Sequence, residues 1–141
     1  MKRYIGTKVI HAEPEDRPDE SPSQTEGYKV VYADGYESWS PKDTFEEAYR
    51  EASGLTFGLA VEALKKGYKL ARAGWNGKGM FVFLVNGSTF NVSRAPLLGI
   101  FPEGTEINYR PHIDIKNVDG SISTWVPSIG DVMAEDWSIM D

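Results

Sequence analysis

The chain has no cysteine in its 141 residues. Disulfide staples, thiolate zinc sites and cysteine nucleophiles are thereby excluded. Histidine is scarce, with His11 and His112 the only two, which leaves little imidazole for acid–base chemistry or metal ligation. No apolar run approaches the roughly 18 to 20 residues that span a bilayer, so no membrane partner is expected. The opening stretch MKRYIGTKVIHAEPED carries basic residues without the apolar core of a secretory leader, and the host cytoplasm is the expected compartment. Cationic excess is also lacking. The net charge of −6 argues against polymeric nucleic acid, which needs a cation-rich surface to release counterions.

What the chain does have is aromatic side chains, 17 in all, four of them tryptophan. Such residues fill cores, and they also offer flat surfaces on which a base stacks. Acidity is uneven. Residues 1–53 hold seven Lys and Arg against twelve Asp and Glu, leaving eight against nine in the remainder. A small anion would therefore meet little repulsion beyond residue 53. We place a boundary there: residues 1–53 form a small amino-terminal module and residues 54–141 the main domain.

Along the front module, residues 4–11 read as a short strand. Residues 13–26, rich in Pro, Asp, Glu and Ser, read as a mobile loop. Asp34-Gly35 joins two strands into a hairpin. Ser40 is expected to cap a helix with Pro41 at its first position and Asp43 completing the box; Phe45, Ala48, Tyr49 and Ala52 continue at helical spacing. In the main domain Thr56 caps a second helix that ends at Gly67. A strand at 68–73, a glycine loop at 74–79 and a strand at 80–85 follow, with Asn86-Gly87 predicted as a tight hairpin turn. From Ile107 to Lys116 the period is two, as in one continuous strand. Asp119-Gly120 turns into its partner at 121–126. Ser128 caps a short helix to Ala134, and residues 137–140 form a last strand. The pattern gives an α+β fold, a mostly antiparallel sheet with short helices, preceded by a small α+β module.

Several chemistries fail on inspection. In the glycine loop Lys78 is followed by Gly79 rather than Ser or Thr, so a magnesium-holding P-loop is ruled out. His112 has no serine in a nucleophile-elbow pattern near it, and a lone strand histidine is more often structural. Asp131, Glu135 and Asp136 cluster, with the first two sharing a helix face, but no histidine adjoins them; a solvated acidic turn is the plainer reading. No metal, cofactor or catalytic residue is assigned.

Equipment for gripping a small anionic aromatic compound remains. Trp75 sits among Gly74, Gly77 and Gly79, whose backbone approaches closely and frees amides for phosphate oxygens. Lys78 adds a cation. The plain alternative is a structural turn whose indole caps the core. Arg110, on the polar face of the 107–116 strand, suits bidentate phosphate binding, or else an ion pair with Asp114. Asp131, at a helix start, either accepts from a ligand's ribose hydroxyls or amino group, or merely complements the helix dipole.

The segments LTFGLAVEALKKGYKLARAGWNGKGMFVFLV and YRPHIDIKNVDGSISTWVPSIGDVMAEDW closely resemble the second type of phage Thoeris anti-defence protein. The likeness runs over residues 55–139 and includes GWNGKGMF, RPHIDIK, the DG turn, W-x-P-S and AEDW in order. It implies a homotetrameric sponge that binds glycocyclic ADP-ribose, made by bacterial TIR-domain defence proteins, and holds it without cleaving it. Some members also bind cyclic oligonucleotides at a separate site. Carried onto this chain, Trp75 and Phe81 would flank the base and Arg110 would face phosphate, with Asp131 a further contact. Asn76 and Gly77 of the glycine loop complete the candidate ligand-binding set. The stretches IGTKVIHAEP and GYESWSPKDTFEEAYR look like a module that precedes various small phage proteins.

Two other functions compete. One is a hydrolase or lyase of such a nucleotide, with His112 as base and Asp131 or Glu135 assisting. The other is a protein-binding module whose acidic front docks on a basic host factor.

Overall fold

A computed structural model describes residues 1–18 and 25–141. The chain divides into two compact units, Met1–Leu55 and Thr56–Asp141, and the architecture is α+β with antiparallel sheets and, among the described residues, three short helices.

In the first unit β1 (His11–Pro14), β2 (Gly27–Val31) and β3 (Glu37–Pro41) pair antiparallel in that order. The Asp34-Gly35 hairpin is present, with Gly35 at φ +87°. Residues 1–10 take no regular structure, so the strand begins at His11 rather than Tyr4. The expected loop at 13–26 is also shorter. Glu13 and Pro14 pair with Lys29 and Tyr28, and the Glu15 and Arg17 amides donate to Gly27 and Thr25 carbonyls. Residues 19–24 of that loop lie outside the described residues. Helix α1 (Lys42–Ala48) starts one position later than its proline suggests. Pro41 is the cap and makes no side-chain cap bond, the Lys42 amide donates to the Glu26 carbonyl, and Ser40 belongs to β3. Ladder pairing of Ser40 with Tyr28 outcompetes capping. The helix also stops at Ala48, leaving Ala52 outside. Phe45 stacks on Tyr28 at 4.1 Å and on Tyr49 at 5.0 Å, which holds the helix to the sheet.

In the second unit α2 (Phe57–Lys65) begins under its Thr56 cap, whose hydroxyl accepts from the Leu59 amide at 3.4 Å. It ends before Gly67, at φ +96°. Strands β4 (Lys69–Arg72), β5 (Phe81–Val85), β8 (His112–Lys116), β9 (Ile122–Thr124) and β10 (Trp137–Met140) form a sheet in the order β10-β4-β5-β8-β9. Leu70 faces Val82 and Val82 faces Ile115. Leu70 and Val82 are both 0% exposed. With Ala60, Ala63 and Leu64 of α2 they make the core, each large side chain contributing about 1.5–3 kcal/mol. The covered face of the sheet thus carries Leu70, Arg72, Val82, Ile115 and Trp137. Strand alternation puts Lys69, Phe81, Phe83, His112, Asp114 and Lys116 on the opposite face.

Strands β6 (Ser88–Asn91) and β7 (Glu106–Tyr109) form a two-stranded ribbon. Asn86-Gly87 is therefore not a hairpin turn, since β5 pairs with β8 and β6 with β7. Val85 faces His112 and Ser88 faces Tyr109, so one register runs through both pairs, with Asn86 opposite Pro111 and Gly87 opposite Arg110. The residue alternation from Ile107 to Lys116 is real, but it spans two strands. Pro111 has no N–H to give the ladder and breaks it. Gly87 is needed there because a Cβ would collide with the Tyr109 carbonyl oxygen. Helix α3 (Ile129–Met133) starts at Ser128 with a complete capping box to Asp131.

Candidate functional site

Arg72 ends β4, immediately before the glycine loop, and its guanidinium is shared by two carboxylates. Its Nη1 donates to Asp131 Oδ1 and its Nε to Asp136 Oδ1, both at 2.9 Å. Asp136 Oδ2 in turn accepts the Gly74 amide at 2.8 Å. A Cβ at Gly74 would lie 2.9 Å from Asp136 Oδ2 and 3.1 Å from Arg72 Nη2. A side chain here would push on the tips of the Asp136 carboxylate and the Arg72 guanidinium that close the loop.

Asp131 collects more donors than its neighbour. Oδ1 accepts Trp75 Nε1 at 3.2 Å besides Arg72, and Oδ2 accepts the Ser128 amide at 2.9 Å. Its backbone carbonyl accepts Trp137 Nε1 at 2.9 Å. Burial opposes ionisation of Asp131, yet the bonds from the Ser128 amide, Arg72 and Trp75 outweigh it and hold the carboxyl below the usual carboxylate range. Asp136 is lowered chiefly by the Arg72 hydrogen bond, against burial. The same two bonds, Asp136 first, raise Arg72 against burial.

Trp75 is half-buried. Its ring meets Trp137 edge-on at 5.3 Å and Trp125 at 6.4 Å. Trp137, 1% exposed, is the floor of this cluster, and Phe57 closes it at 5.8 Å from Trp137. The indole is thus part core and part surface. Beyond it the loop is open. The amides of Gly74 and Trp75 are taken, by Asp136 and the Arg72 carbonyl, whereas those of Asn76, Gly77, Lys78 and Gly79 have no partner among the described residues. Asn76 and Lys78 are exposed; Gly77 is half-buried, and a Cβ there would strike Val118 and Met80.

The remaining candidates are not gathered around Trp75 within one chain. Phe81 is on the opposite face of the sheet, its ring between Lys69 Nζ at 5.0 Å and Lys116 Nζ at 5.5 Å. Arg110 is not on a strand. It sits in the break between β7 and β8, exposed and without an ion pair among the described residues, at the end of β8 away from the glycine loop. Asp114 pairs instead with His112, Nε2 to Oδ1 at 3.2 Å. Glu135 lies outside α3, so it shares no helix face with Asp131. Arg72, Trp125 and Trp137 are not among the sequence candidates, and Asp136 enters there only as part of an acidic cluster. A pointer existed: an arginine two residues before a Gly-Trp loop, with two aspartates near the carboxy terminus to balance it.

A groove of about 520 Å³ lies at the ribbon end of this unit, lined by Phe90, Asn91, Ser93, Arg94, Leu97 and Tyr109 among others. None of the sequence candidates lines it.

A family model described as the Thoeris anti-defense 2-like domain matches residues 55–140. Thoeris anti-defense 2 of Bacillus phage SP01 is 44% identical over 89 residues, covering 61% of this chain and 94% of that protein. The match contains the whole Arg72–Trp75–Asp131–Asp136 constellation, and the chain belongs to the Thoeris anti-defense 2-like family, proteins that act against Thoeris defence.

Proposed function

We propose that residues 54–141 form a sponge domain that binds and sequesters a TIR-derived cyclic ADP-ribose signal, glycocyclic ADP-ribose, without cleaving it. The observation that carries this reading is the half-exposed indole of Trp75, held in a loop where four amides have no partner among the described residues and Lys78 is exposed. A base stacked on that ring gains roughly 1–3 kcal/mol, and the amides of Asn76 to Gly79 suit phosphate oxygens. No cofactor is needed.

Cleavage has poor support from the arrangement. Asp131 is committed to Arg72, Trp75 and Ser128, and its lowered pKa makes it a weak base. His112 stands on the other face of the sheet from Asp131's partner Arg72. Trp75, Phe81 and Arg110 meet one ligand only if it is enclosed between copies, so we assign the active form as the homotetramer that the family resemblance implies, working in the host cytoplasm. Exposed apolar side chains at Ile100, Val126, Ile129 and Met133 supply surface for such contacts. Nanomolar retention, about 12 kcal/mol, is reached more readily by enclosure than on an open face.

The groove lined by Phe90 and Tyr109, whose rings pack on each other at 5.4 Å, and by Arg94 favours a second ligand class. We assign it to cyclic oligonucleotides, with Arg94 toward phosphate. To test the main reading, the purified protein is loaded with glycocyclic ADP-ribose, washed and heat-denatured. Mass spectrometry should recover the intact nucleotide; a hydrolysed or rearranged product would make the protein an enzyme.

A further inference from the structure

We propose that Arg72 is a positioning residue for ligand capture: held between Asp131 and Asp136, it fixes the Trp75 indole so that a ligand meets the ring face and not the N–H. This rests on the reading of Trp75 as the stacking surface. Two clamps are linked through Arg72. Arg72 Nη1 and Trp75 Nε1 converge on the same oxygen, Asp131 Oδ1, at 2.9 and 3.2 Å. Arg72 Nε reaches Asp136 Oδ1, whose second oxygen holds the Gly74 amide at the root of the loop. The indole therefore has its one donor spent inside the protein. Its orientation is fixed at three points: the N–H on Asp131, the ring packed near-perpendicular to Trp137 at 80°, and the preceding backbone on Asp136.

Two consequences follow for specificity. A ligand acceptor aimed at the indole nitrogen gains nothing, so selection rests on flat surface at the ring and on anionic groups at the amides of Asn76 to Gly79. A guanidinium is also required at position 72. Its Nε and Nη1 reach two separate carboxylates at once, whereas a lysine ammonium is a single point without a fork. Fixing a binding side chain before the ligand arrives removes ordering cost from the binding step.

The experiment uses the full chain and three variants, Arg72→Lys, Trp75→Phe and the double variant, with glycocyclic ADP-ribose as the probe in calorimetry. The Trp75 indole ¹H–¹⁵N resonance is assigned by its loss in Trp75→Phe. In Arg72→Lys that resonance should shift and exchange faster with solvent, and affinity should fall about tenfold. The double variant should bind no more weakly than the worse single one, because both changes release the same ring. Losses that multiply, or wild-type affinity in Arg72→Lys, would overturn the proposal. If Arg72→Lys does not fold, Asp136→Asn replaces it with the same expected shift and the same overturning results. If the wild-type protein binds no nucleotide, the sponge reading fails separately. The indole resonance then decides the positioning claim: a shift sustains the clamp and an unmoved signal ends it.

Discussion

Trp75 gives its indole N–H to Asp131, 56 positions further along the chain, at 3.2 Å. The ring stands near-perpendicular to Trp137 while keeping part of its surface at solvent. Truncating it should remove stacking without removing the floor beneath. Trp75→Ala is expected to weaken glycocyclic ADP-ribose binding at least tenfold, the order expected from roughly 1–3 kcal/mol of stacking, with the far-ultraviolet dichroism unchanged. Unchanged affinity in calorimetry takes Trp75 out of the site.

Asp131 serves a helix start and a guanidinium together. Asp131→Ala removes the capping-box partner, about 1 kcal/mol, and leaves Arg72 short of one acceptor, about 1–3 kcal/mol. Thermal unfolding should show a loss of about 3 kcal/mol. A loss under about 0.5 kcal/mol, the scale of an ordinary surface change, would mean that the cluster is ornamental.

Acid should act on the same cluster. Asp131 and Asp136 both have folded pKa values below the ordinary aspartate value, so each stabilises the fold fully above about pH 4. That stability is lost as pH falls through the depressed folded values. The melting temperature should drop below pH 4 more steeply in the wild type than in the Asp131→Asn, Asp136→Asn double variant, and the two curves should converge at the acid end. Parallel curves would show that these carboxylates are not linked to folding.

Arg110 and His112 flank Pro111, and they separate the binding and catalytic readings. Arg110 is exposed with no ion pair among the described residues, whereas His112 already has Asp114 at 3.2 Å. Arg110→Ala should lower nucleotide affinity more than His112→Ala does. The reverse order would revive the hydrolase with His112 as its base.

Removal of residues 1–53 tests the third reading. The second compact unit begins at Thr56 and holds its own core of Leu64, Leu70 and Val82. A chain of residues 54–141 should fold and keep full affinity for glycocyclic ADP-ribose. Lost activity together with retained folding would move the function to the acidic front module.

Local chemistry made much of this legible. Thr56, Gly67, Asp119-Gly120 and Ser128 act in the structure as their side chains or backbone freedom dictate, because caps and turns are decided within a few residues. Ser40 and Asn86-Gly87 mislead for the opposite reason. Each has strong local preference, yet strand pairing with residues far along the chain decides the outcome: Ser40 pairs with Tyr28, and Asn86-Gly87 lies within a register that runs from Phe81 to Asn91. The site divides in the same way. Trp75 and the glycines are adjacent and visible together, whereas Arg72 acquires meaning only through Asp131 and Asp136, 59 and 64 positions away.

One carboxylate that begins a helix, grips a guanidinium and aims an indole leaves little freedom to change any of the three. Adaptation to a different host signal is thereby channelled elsewhere. Asn76 and Lys78, exposed and with no structural duty among the described residues, are where new side chains can be tried without loosening the frame.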